Sequence, residues 1–125
     1  MPKKILIVED DADVRRGIDS RLQESQYETA FAVDAVGAVV QARREQPDAI
    51  LLELSLPAGD GFVVMNRLRK NARLAGIPVI VVSARRTPVG AQAVLDAGAR
   101  AFIEEPLEGE QLMRTIRDVL GEDAP

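Results

Sequence analysis

At 125 residues the chain fits one compact domain, and 46% hydrophobic with 29% charged residues is a globular composition rather than a disordered, fibrous or membrane one. Cysteine and histidine are both absent, which excludes disulfides, thiolate or imidazole metal sites, Cys- or His-dependent nucleophiles and a phosphohistidine carrier. A net charge of −4 and 3% aromatic residues argue against direct nucleic-acid binding, and no apolar run approaches the roughly 20 residues of a membrane-spanning helix.

The N-terminal Met-Pro-Lys-Lys and the short apolar run after it lack the length and cleavage site of a secretory signal, so a cytoplasmic location is expected. Residues 3–8 form a β-branched run that stops at Glu9, Asp10 and Asp11, which reads as a buried strand ending in a loop. A helix follows, with Val14, Ile18 and Leu22 at four-residue spacing and Asp11 or Asp13 placed to cap it. Residues 27–33 read as a second strand. Asp34 then caps a helix carrying Val36, Val39, Val40 and Ala42, and Pro47 punctuates the return.

Residues 49–54 are a second apolar run, broken only by Glu53, and Pro57-Ala58-Gly59-Asp60-Gly61 after it is turn chemistry. Glu53 is thereby set at a strand's carboxyl end. Phe62, Met65 and Leu68 mark a third helix, and residues 77–82 a fourth strand. Residues 89–97 read as a fourth helix, opened by Thr87-Pro88 and closed by Gly98. Residues 101–103 are a short fifth strand. Residues 108–120 close the chain as an amphipathic helix with Leu112, Ile116, Val119 and Leu120 inward. Five strand–helix alternations with short links predict a parallel sheet covered on both faces, with ligands at the strand carboxyl ends.

Glu9, Asp10 and Glu53 all fall at such ends, and Ser83 follows another strand. The residues alone leave two readings open. The acids converge on a hard divalent cation through oxygen ligands, or they are solvated loop acids and helix caps.

Four segments carry a resemblance: Ile-Leu-Ile-Val-Glu-Asp-Asp, Leu-Pro-Ala-Gly-Asp-Gly-Phe, Ile-Pro-Val-Ile-Val-Val-Ser-Ala and Ala-Gly-Ala-Arg-Ala-Phe-Ile-Glu-Glu-Pro-Leu. In this order and spacing they resemble the receiver domains of two-component response regulators over nearly the whole chain. The resemblance implies one receiver-like domain over residues 1–125: a doubly wound, flavodoxin-like α/β fold in three layers, with a five-stranded parallel sheet in the order 2-1-3-4-5.

It also implies roles. The family's magnesium-holding acidic pair matches Glu9 and Asp10, its phosphoacceptor aspartate matches Glu53, its switch hydroxyl Ser83 and its switch aromatic Phe102. The family's lysine, which contacts the phosphoryl oxygens, matches Glu105, followed by Pro106 where the family has its usual cis-proline. The acceptor is thus one methylene longer and a cation has become an anion. At an effective dielectric near 20, two carboxylates about 4 Å apart repel by roughly 4 kcal/mol, so protonation, a bound cation or an outward swing is expected. Arg85 and Arg86 are positioned to supply the missing positive charge, or are plain surface arginines.

The expectation is a signalling module, not an enzyme, that docks a protein partner, a histidine kinase or a downstream effector, through its fourth and fifth helices without ordinary aspartyl phosphorylation. No nucleic-acid or membrane partner is expected, and the state is monomer or weak dimer. Glu53 in the acceptor position either imitates the phosphorylated state, drawing Ser83 and Phe102 with it, or leaves an unswitched scaffold. The alternative is a receiver phosphorylated on Glu53 or on another acid such as Asp10 with magnesium. A flavodoxin would need a hydroxyl-rich phosphate loop where Glu9-Asp10-Asp11 stands, and a haloacid-type phosphatase an Asp-x-Asp-x-Thr motif; neither is present.

Overall fold

A computed structural model describes residues 2–57, 60–84 and 90–122. In chain order these form β1 (Lys4–Val8), α1 (Ala12–Glu24), β2 (Glu28–Ala32), α2 (Ala35–Glu45), β3 (Ala49–Glu53), α3 (Gly61–Arg69), β4 (Val79–Ala84), α4 (Gly90–Asp96), β5 (Ala101–Glu105) and α5 (Gly109–Leu120). All strand pairs are parallel and the order is β2-β1-β3-β4-β5, as the resemblance implied.

The alternation of side chains along each strand separates two cores. Leu6, Val8, Ile50, Leu52, Val79 and Val81 pack with the inward residues of α2, α3 and α4. Ile5, Ile7, Leu51, Ile80, Val82 and Ile103 pack with Ile18 and Leu22 of α1 and with Leu112, Met113 and Ile116 of α5. Each fully buried aliphatic side chain contributes about 1.5–3 kcal/mol relative to exposure, so the central strands anchor the fold.

Several local expectations shift. The cap of α1 is Asp11, whose carboxylate accepts from the backbone N–H groups of Asp13 and Val14. β2 is shorter than residues 27–33, because the Tyr27 N–H turns back to the Leu22 carbonyl and Val33 lies beyond the ladder. In α2 the inward residues are Ala35, Ala38 and Ala42, while Val36 and Val40 face out. Only small side chains fill that narrow space beside α3. β4 and β5 each extend to the pocket end of the sheet: Ser83 pairs with Glu104 inside the ladder, and Glu105 is the last residue of β5. The peptide bond between Glu105 and Pro106 is cis. Gly98 closes α4 at φ +114°, a backbone region open to glycine. Thr87, Pro88 and Val89, expected at the start of the fourth helix, and Arg85 and Arg86 lie outside the described residues.

Candidate functional site

Three strands deliver a glutamate to the same end of the sheet. Glu9 follows β1, with its backbone N–H held on the Ala32 carbonyl at 3.0 Å; Glu53 ends β3; Glu105 ends β5. Each stands two residues beyond a side chain of the α1/α5 core layer (Ile7, Leu51, Ile103), so period-2 alternation gives all three the same facing. The backbones of β3 and β5 are two strand spacings apart, roughly 9–10 Å, and only side chains as long as glutamate meet across β4. One carboxylate oxygen from each of Glu9, Glu53 and Glu105 lies within 4.8 Å of the others.

Glu9 and Glu53 are only 5% and 7% exposed. Burial, first of all, pushes the Glu9 carboxyl up to about 7; neighbouring Asp10 and Glu105 push the same way, and the Asp11 N–H at 3.0 Å opposes them. Burial likewise raises Glu53 to about 7, against the Ser55 N–H at 3.2 Å, and the charges of Glu9 and Glu105 add to the rise. Near neutral pH both carboxyls are therefore partly protonated. Arg15, six residues on from Glu9, is turned to the Glu9 carbonyl at 2.9 Å and stacks over the Phe31 ring at 4.9 Å.

Gly61, at the start of α3, is held close to the end of β3. The Gly61 N–H donates to the Leu54 carbonyl at 2.7 Å, and a Cβ at Gly61 would stand 3.0 Å from the Leu54 Cα and 3.2 Å from the Glu53 carbonyl oxygen. Ser83 is buried and has the alternation of Val81, facing the α2–α4 layer with Phe102, which is partly buried against that core. Asp10, expected as a ligand beside Glu9, is exposed, and the described acids gathered most closely are Glu9, Glu53 and Glu105. Glu105 was expected at the lysine position, facing Glu53, and not among the candidate metal ligands; the shared spacing Ile7-x-Glu9, Leu51-x-Glu53 and Ile103-x-Glu105 is the signal that groups it with the other two acids. Beside the site, a cleft of about 340 Å³ between α1 and α5 has Glu105, Pro106, Asp13 and Arg21 on its walls.

The profile of the response regulator receiver domain matches residues 5–117. The chain belongs to that family. Among curated receiver-containing proteins it is 34% identical over 120 residues to the DNA-binding dual master transcriptional regulator RpaA of Synechocystis sp., covering 96% of this chain and 49% of RpaA. It is 35% identical over 117 residues to the transcriptional regulatory protein PrrA of Mycobacterium tuberculosis, covering 94% of this chain and 49% of PrrA. The chain thus spans about half the length of these relatives. Among solved structures, the receiver domain of the sensor histidine kinase PA1611 from Pseudomonas aeruginosa, which has magnesium in its active site cleft, superposes with a TM-score of 0.89 at 26% identity, covering 98% of this chain and 100% of that one. This receiver has no helix, among the described residues, long and apolar enough to cross a membrane.

Proposed function

We propose that this receiver relays its signal by docking protein partners, without the aspartyl phosphorylation of ordinary receivers. The observation that supports this is the convergence of Glu9, Glu53 and Glu105 within 4.8 Å. Phosphoryl transfer depends on in-line positioning of the nucleophile and on neutralising the charge of the equatorial oxygens. Here the acceptor-position residue is Glu53 rather than aspartate, and Glu105 stands where the resemblance sets a lysine. Each ionised pair at that separation adds repulsion of roughly 3 kcal/mol at an effective dielectric near 20, which an approaching phosphate also meets.

The donor set fits a hard divalent cation: Glu9, Glu53 and Glu105 would hold it, with Asp10 beside them. Such an ion would supply charge neutralisation, and the half-protonated carboxyls would release protons as it bound. On this reading the partner is a histidine kinase or a downstream effector, met through the face of α4 and α5. Ser83 and Phe102 remain as the residues whose arrangement that face would read.

The second reading, a receiver phosphorylated on Glu53 or Asp10 with magnesium, draws support from the magnesium-containing receiver domain of PA1611. Intact mass after incubation with acetyl phosphate and magnesium separates the two, run beside a Glu53→Asp/Glu105→Lys double variant. The expected result is an unmodified native chain and a variant that gains one phosphoryl group. A phosphoryl group on the native chain overturns the docking-only reading.

A further inference from the structure

The exposed apolar side chains are unevenly spread. Of the large hydrophobic residues that stand well exposed among the described residues, Phe31, Val33, Val36 and Val40 fall within ten residues of sequence, and only Leu95 lies elsewhere. Phe31 is on the α1 face of β2, under the Arg15 guanidinium. Of the other three, Val36 and Val40 belong to α2. Val33, 43% exposed, precedes its cap, and Val36 and Val40, 53% and 49% exposed, stand one turn apart on the side opposite the buried alanines 35, 38 and 42. A helix that turns alanine inward and valine to water has an outward face suited to contact.

The charges around this stripe are sorted by end. Arg43 and Arg44, in the last turn, continue the outward face; Glu45 is paired with Lys4 at 2.9 Å, and the Arg44 charge also acts on it. At the first turn stands Asp34, whose carboxylate accepts from the Gly37 N–H. One end of the stripe is basic and the other acidic, with valines between.

We propose that this face of α2 binds a second copy of the chain, its α2 antiparallel to the first across a two-fold axis. An isologous contact needs a self-complementary patch, and this one supplies both halves. The two-fold sets Val36 against the other copy's Val40 and Arg43 and Arg44 against its acidic end, and it opposes the two helix dipoles. The apolar area is small beside the roughly 1,600 Å² of a standard interface, so the dimer is weak, with dissociation between roughly 10 µM and 1 mM.

Sedimentation equilibrium across that concentration range, in low and high salt, tests the proposal. The native chain should dimerise reversibly and less at high salt, and Val36→Glu/Val40→Glu, checked for folding by circular dichroism, should dimerise at least about tenfold more weakly. Because the chain has no cysteine, single variants Val36→Cys and Val40→Cys can be mixed and oxidised. The mixed 36–40 disulfide should exceed its statistical share. A native chain monomeric throughout, a Val36→Glu/Val40→Glu variant that dimerises like the native one, or like-with-like disulfides in excess would each overturn it.

Discussion

Glu53 and Glu9 carry opposite consequences for function and stability. An isolated glutamate titrates near 4.5, and in the folded chain both titrate at about 7. Between those values the folded state binds more protons than the unfolded state, so unfolding free energy falls as pH rises. The stabilisation by the protonated carboxyls is complete below about 4.5 and is lost as pH climbs through about 7. Urea denaturation should therefore show a falling midpoint from pH 5 to pH 8. Glu53→Gln, which keeps the shape and removes the charge, should flatten that slope and be more stable than the native chain at pH 8 by on the order of 1 kcal/mol. Profiles that run parallel would mean that Glu53 does not carry the dependence. On the proposed reading, the same burial leaves a site that would take a cation more readily than a phosphate.

At the scale of elements, end chemistry separates the helices. Asp11, Asp34 and Asp60 each cap a helix by accepting backbone N–H groups, whereas Glu108 stands at the cap position of α5 without a side-chain hydrogen bond. A glutamate is too long for the geometry that serine or aspartate reaches. Glu108→Ser is expected to stabilise the domain by about 0.5–1 kcal/mol, read as a rise in Tm. The cap at Asp34 and the inward Leu112 and Ile116 of α5 were legible from spacing alone, which left the cap of α1 open between Asp11 and Asp13 and did not single out Met113. The inward line of α2 was not: its apolar residues admit two facings, and the choice of alanines over valines was made by the room left beside α3 and β2. β4 and β5 were read as ending at residues 82 and 103 because Ser83, Glu104 and Glu105 look like loop residues; pairing with each other carries them into the ladder.

Across the whole molecule, one long-range contact ties the turn between α1 and β2 to the segment after α5. The Tyr27 hydroxyl, between α1 and β2, donates to the Glu122 carboxylate beyond α5 at 2.6 Å, and burial, reinforced by that carboxylate, pushes the phenol up to about 12. The phenol therefore remains a donor throughout the working pH range. Tyr27→Phe removes this bond and little packing. It should cost about 1 kcal/mol in urea denaturation and speed hydrogen exchange at residues 117–122 more than in the central strands. Equal exchange in both variants would mean that the end of α5 is held by Val119 and Leu120 instead.

The sequence by itself determined the alternation of strands and helices, the two-sided core and the strand ends on which Glu9 and Glu53 stand, because period-2 and period-3.6 patterns and acidic caps are local properties of the chain. The four family segments added the strand order and the equivalence of Glu53, Ser83, Phe102 and Glu105 to known receiver positions. Only the tertiary structure brought carboxylate oxygens of Glu9, Glu53 and Glu105 within 4.8 Å of one another. The reason is geometric: three strands far apart in sequence bring their ends into register, and the side chains of Glu53 and Glu105 reach across the strand between them. The raised titration of Glu9 and Glu53 has the same origin in its largest cause, since burial exists only once β1, β3 and β5 lie in one sheet.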